Sequence, residues 1–198
     1  GWIFPKRECL SVGVGEFRRK SKSLHATFDR FVTDERGVIG GTVPRPAGHP
    51  IPVYEESEAR RQGVDSRFVV GRTMLVGDAA HLVDPLFGEG IYYAIRSGQL
   101  AARAILAHPG DHCASLAAYE AALEREILPD FRVTARMAQV IYAFPRLAFK
   151  LLRRYQDVVQ DYFGVLQGRM TAQQFLPHAK KRLKASVSDL LLEALHLR

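Results

Sequence analysis

Gly77-Asp78-Ala79-Ala80-His81-Leu82-Val83-Asp84-Pro85-Leu86-Phe87-Gly88-Glu89-Gly90-Ile91 is the stretch that decides how the chain is read. It is entered from Thr73-Met74-Leu75-Val76, an apolar run that reads as a short buried strand. It leads into a helix from Ile91 to about His108, which His108-Pro109-Gly110 ends. Gly77 permits a tight turn at the strand end. Asp78, with Ala79 beside it, puts a short carboxylate where it can accept hydrogen bonds from ligand hydroxyls. Pro85 stiffens the loop. Gly88 and Gly90, on either side of Glu89, strip side chains from the backbone, so a flat ligand can approach the amides at Ile91 closely. Those amides are the positive end of the helix, which favours a ligand that becomes anionic on reduction. Ile91, Ala94, Ile95, Gly98, Ala101, Ala102 and Ile105 share one helical face, and their small size predicts close packing of that face.

Upstream, residues 1–76 read as β-rich. Cys9 to Gly15 is expected to form a strand with glycines at its end, and 67–71 a second short one. Residues 24–36 fit either helix or strand. The glycines and prolines of Gly37 to Pro52 exclude a helix through that region. Downstream, the pattern predicts a helix capped by Ser115 and running to about Leu128. A second helix opens at Pro129 and stops at Pro145, and a third covers 146–163. The tail 171–198 holds shorter amphipathic pieces and the basic cluster Lys180, Lys181, Arg182 and Lys184, read chiefly as a solvated face.

The 198 residues carry a net charge of +7, 47% hydrophobic and 25% charged side chains, which suits a folded globular chain. Aromatics do not interleave with Lys and Arg as base stacking requires, so nucleic acid is not expected as a partner. Cys9 and Cys113 match no metal spacing, no metal site is expected, and their scarcity points to a reducing compartment. No apolar run reaches the roughly 18 residues of a membrane span. A cytoplasmic location is expected, with peripheral contact at a membrane surface as the alternative.

The run from Gly77 to Gly98 closely resembles the second flavin-binding motif of the hydroxylase-type flavoproteins, the fold shared by para-hydroxybenzoate hydroxylase. The resemblance implies that Asp78 bonds the ribityl chain of FAD. It also implies that Gly88 and Gly90 lie beside the flavin ring, and that the helix start at Ile91 faces the ring's N1–C2=O2 edge. Trp2-Ile3-Phe4-Pro5-Lys6, followed by Gly13-Val14-Gly15, is similar to the geranylgeranyl reductases. In that family the segment lines an isoprenoid pocket, so Trp2, Phe4, Pro5, Gly13 and Gly15 are the expected substrate residues. Two departures stand out. Many of these reductases have Thr where this chain has Phe87, which is expected to narrow the space beside the ring. Several have Gly where this chain has His81.

The chain begins Gly1-Trp2 without Met and lacks the Gly-x-Gly-x-x-Gly turn that holds the FAD pyrophosphate. It is therefore read as the C-terminal portion of a longer protein, and by itself is expected to bind FAD weakly or not at all. The fold expected is an α+β fragment of an FAD/NAD(P)-binding α/β flavoprotein, a sheet portion followed by C-terminal helices. Residues 1–72 are assigned to a substrate domain, 73–110 to the return segment of the FAD domain, and 111–198 to a helical region. The activity expected is reduction of carbon–carbon double bonds in a polyprenyl lipid, with NAD(P)H or ferredoxin as electron donor. A flavin monooxygenase (aromatic hydroxylase) or halogenase of the same fold is the first alternative, and a non-catalytic binding fragment the second. No catalytic acid is identifiable.

Overall fold

The computed structural model describes residues 1–17, 23–55 and 68–182. The chain divides into two compact units, Gly1–Pro50 and Ile51–Arg198.

In the first unit, β1 (Trp2–Pro5) and β2 (Leu10–Gly13) form an antiparallel hairpin, closed by Lys6 N–H donating to Cys9 O at 2.8 Å. The register pairs Trp2 with Gly13 and Phe4 with Ser11. The segment that fits two patterns is helical: α1 (Leu24–Asp34) starts where Ser23 Oγ accepts from Ala26 N–H at 3.1 Å. That cap and the spacing of Phe28, Phe31 and Val32 together outweigh the β-branched content. The short α2 (Arg36–Ile39) follows. A cavity of about 950 Å³ opens in this unit, lined among others by Trp2, Leu10, Val12, Val14, Leu24 and Phe28. The β-rich expectation thus holds for the hairpin and not for the helical stretch behind it.

In the second unit, β3 (Val69–Val70) and β4 (Thr73–Met74) form a minimal antiparallel pair. A single turn of 3₁₀ helix, Gly77–Ala80, leads to the loop and then to α3 (Ile91–Ala107). Then come α4 (His112–Glu126), α5 (Leu128–Ala143), α6 (Pro145–Arg154) and α7 (Gln156–Leu166), and residues 172–182 are helical too. Tyr54, Phe68, Leu82, Leu100, Tyr119, Leu123, Ile127 and Phe131 form the core beneath the loop. The Tyr119 hydroxyl donates to Leu75 O at 2.6 Å, tying α4 to the strand end. Burial pushes that hydroxyl up to about 12.

Three local readings need correction. The α4 cap is Asp111, whose side chain accepts from Ala114 N–H at 2.9 Å; Ser115 lies inside the helix, donating to Asp111 O at 2.8 Å. The expected single helix over 146–163 is two, broken at Tyr155. The buried stripe of α3 is Ser97, Leu100, Ala101 and Ala104, rotated by roughly 100° from the stripe read off the sequence. Ile91 and Ile95 are 76% and 60% exposed. The predicted stripe passes over Leu100 and Ala104, and over Ser97, a polar residue that the fold buries with its hydroxyl accepting from the Gly77 amide. Lys184 lies outside the described residues. Among the described residues no helix is long and apolar enough to cross a membrane.

Candidate functional site

Gly77 adopts φ +55°, where a side chain is strained. Its N–H donates to Ser97 Oγ at 3.0 Å, and Ser97 Oγ donates on to Ala94 O at 3.2 Å. A carbon added at Gly77 would stand 2.9 Å from Ala94 Cβ. The glycine thus serves both the turn and the close approach of α3. The turn closes with Leu82 N–H donating to Gly77 O at 3.0 Å and His81 N–H to Asp78 O at 3.0 Å. His81 has φ +55°, the positive-φ residue other than glycine in the described chain. That conformation favours glycine over a residue that carries a side chain.

The loop itself is built on Asp84, whose role the motif reading missed. Its carboxylate is buried, and Oδ1 accepts from Leu86 N–H at 2.8 Å and Phe87 N–H at 3.0 Å. Its own N–H donates to Glu89 O at 2.8 Å, and its carbonyl accepts from Gly88 N–H at 2.9 Å. One residue therefore ties both ends of the turn. Burial raises its carboxyl above the ordinary value, against the lowering pull of the Phe87 amide, the Thr134 hydroxyl and the Leu86 amide. The Asp84-Pro85 pair, with an amide two residues on, was the available signal for such a turn.

Helices far along the chain hold the loop from behind. The Tyr142 hydroxyl of α5 donates to Leu86 O. Burial, reinforced by the nearby Asp84 charge, lifts that hydroxyl to about 12. Phe87 stacks on Tyr162 of α7 with centroids 4.1 Å apart and planes at 29°, so its ring is engaged by that helix.

The candidate cofactor residues Gly77, Asp78, Ala79, Pro85, Gly88, Glu89, Gly90 and Ile91 all lie on this turn, loop and helix start. Gly88 has φ +71°, a conformation that favours glycine. A carbon added at Gly90 would stand 3.3 Å from Asp78 Oδ1 and 3.2 Å from Val83 Cγ2. The Asp78 carboxylate, twelve residues upstream of Gly90 in sequence, is therefore folded back onto the helix start. The residue remains solvent-accessible, so a hydroxylated ligand can reach it. Glu89 is not spent on an incoming ligand: its Oε1 accepts from Tyr92 N–H at 3.0 Å and caps the first turn. One amide of the positive helix end is thus already occupied by a carboxylate.

In the other unit, Trp2 and Phe4 lie on one face of the hairpin, their rings 6.5 Å apart and at 25°. The indole lies over Gly13, where an added carbon would stand 2.1 Å from its Cζ2, and 3.7 Å separates its Cζ3 from such a carbon at Gly15. The two glycines make room for the indole. Trp2 and Gly13 line the 950 Å³ cavity.

With this geometry in view, comparison with known proteins is informative. The chain is 35% identical to the chloroplastic geranylgeranyl diphosphate reductase of Oryza sativa over 149 residues, 72% of this chain and 30% of that protein. An uncharacterized protein of Methanosarcina barkeri is 28% identical over 99% of this chain and 47% of its own length. The kynurenine 3-monooxygenase of Salinispora tropica is 31% identical over 61% of this chain and 27% of its own. No family model and no solved structure matches the chain. Several geranylgeranyl diphosphate reductases, at about 35% identity over half to 72% of the chain, support that family. The chain spans less than half the length of these relatives.

Proposed function

We propose that this chain carries the ring-side half of the flavin site of an FAD-dependent oxidoreductase acting on a polyprenyl lipid. The observation that supports it most is the approach of the Asp78 carboxylate to side-chain-free Gly90 at the start of α3, where an added carbon would stand 3.3 Å from Oδ1. Asp78 would accept hydrogen bonds from the ribityl hydroxyls. Gly88 and Gly90 would let the ring lie against the backbone, and the exposed Ile91 and Ile95 would offer it apolar surface. The first-turn amides not taken by Glu89 would face the ring edge that gains charge on reduction. FAD, when bound, supplies hydride chemistry that no side chain here supplies. The residues of this chain would hold the ring and set its electrostatics, with Asp84, Tyr142 and Tyr162 bracing the loop from behind.

The apolar cavity of the first unit, with Trp2 and Phe4 on the hairpin, would take the isoprenoid chain, and saturation of its carbon–carbon double bonds is the reaction proposed. NAD(P)H and ferredoxin both remain candidate donors. Similarity to a monooxygenase supports a second reading, oxygen-dependent hydroxylation. The experiment that separates them uses the whole protein with reduced flavin and a geranylgeranyl substrate without oxygen. A mass gain of two hydrogens per double bond supports the reductase. Oxygen uptake coupled to NAD(P)H oxidation, with no saturation, supports the monooxygenase and overturns the first reading.

A further inference from the structure

The surface of α6 carries an inference that goes beyond the flavin reading and does not depend on it. Its sequence, Pro145-Arg146-Leu147-Ala148-Phe149-Lys150-Leu151-Leu152-Arg153-Arg154, holds four cations and no carboxylate. At 100° per residue, Arg146, Lys150, Arg153 and Arg154 fall within an arc of roughly 100°, and every other position on the helix is apolar. A helix divided this way ordinarily buries its apolar side in a core. Here only Ala148 and Leu151 turn partly inward, whereas Leu147 and Phe149 are 51% and 64% exposed and Leu152 is exposed as well. Phe144, just before the helix, is 62% exposed and extends the apolar surface. Arg153 lies over the Phe149 ring, 5.9 Å from its centroid, so charge and apolar bulk are contiguous. On the following helix Asp157 pairs with Arg182, and Asp161 with His178 at 3.3 Å.

We propose that α6 seats this protein on an anionic lipid surface. Charge complementarity selects that occupant: a one-signed basic arc bordering exposed Leu and Phe is the pattern of helices that lie in the interfacial plane. At 1.5 Å per residue the helix is about 15 Å long, half what a span requires, so it lies along the bilayer. The contact falls on α6, whose cations border exposed Leu and Phe, and not on the basic cluster of the tail, where Arg182 is paired with Asp157.

The test is flotation of the whole protein with vesicles of phosphatidylcholine alone and of phosphatidylcholine mixed with phosphatidylglycerol, with hydrogen exchange over 145–154 in the same samples. The protein is expected to float with the mixed vesicles and to be released by salt. Arg146→Gln with Lys150→Gln is expected to weaken binding about 30-fold, from about 1 kcal/mol per cation at an anionic surface. Phe149→Ser is expected to weaken it about tenfold or more, and exchange over the helix to slow on binding. The proposal is overturned if the wild type does not float, if both variants bind as the wild type does, or if exchange over 145–154 is unaffected by vesicles. It is equally overturned if those amides are already protected without lipid, because the helix is then covered by polypeptide.

Discussion

Gly77→Ala tests whether the turn below the proposed site is held as described. Two costs are expected. An alanine at φ +55° loses about 1–2 kcal/mol relative to a relaxed backbone. Its Cβ would stand 2.9 Å from Ala94 Cβ and 3.2 Å from Ala94 Cα, and overpacking of that kind costs about 1–3 kcal/mol. Reduced freedom of the unfolded chain returns about 0.5–1 kcal/mol. The net loss is about 1–4.5 kcal/mol. The two costs separate in a double-mutant cycle with Ala94→Gly, which alone costs about 1 kcal/mol in a helix. The second mutation removes the overlap and leaves the backbone cost, so a favourable coupling of about 1–3 kcal/mol is expected from equilibrium urea unfolding. A loss below about 1 kcal/mol for Gly77→Ala, or no coupling, would refute the close approach of α3 to the turn.

Two further substitutions address the loop and its entry. Asp84→Ala strands the buried Leu86 amide and should cost about 2–4 kcal/mol, whereas Asp84→Asn keeps an acceptor oxygen and should cost under about 1 kcal/mol at neutral pH. Because burial raises the Asp84 carboxyl, the folded chain holds that proton more tightly than the unfolded one. The resulting stability is fully present below the ordinary carboxylate value and is lost as pH rises through the folded value. Wild type should therefore lose ground to Asp84→Asn from acid toward neutral pH in denaturant melts, and a gap that is flat or moves the other way contradicts the assignment. His81→Gly should stabilise by about 0.5–1 kcal/mol, because the left-handed backbone cost of His exceeds the extra chain entropy of Gly, and His81→Val should destabilise; thermal melts of both decide it.

The local chemistry of the site was legible because it is written in consecutive residues. The strand, the glycine turn, the proline and the helix start follow one another, and each has a backbone reason. What the pattern could not show were the residues that reach the loop from far away. Ser97 looks like an unremarkable polar position on α3, yet it is buried to receive the Gly77 amide. Tyr142 and Tyr162 look like core aromatics of a helical tail, and only the fold brings them to Leu86 and Phe87. The division of the third downstream helix at Tyr155 left no proline or glycine to mark it. On α3 the buried face joins Leu100 and Ala104, which the predicted stripe left out, to Ser97, a polar position that an apolar pattern passes over. In the first unit, Gly13 read as a strand-end glycine, whereas its absent side chain is what accommodates the Trp2 indole one strand away.

The most direct measurement is a titration of the flavin-free whole protein with FAD, followed by visible absorbance, for the wild type, Asp78→Ala and Gly90→Val. The account predicts a yellow 1:1 complex for the wild type. For Asp78→Ala it predicts affinity about 10–100-fold weaker, from loss of about 1.5–3 kcal/mol of charged hydrogen bonding. For Gly90→Val it predicts no complex, since the added carbons press on Val83 and the Asp78 carboxylate. A wild type that takes up no flavin, or variants that bind it as tightly as the wild type, would contradict the account.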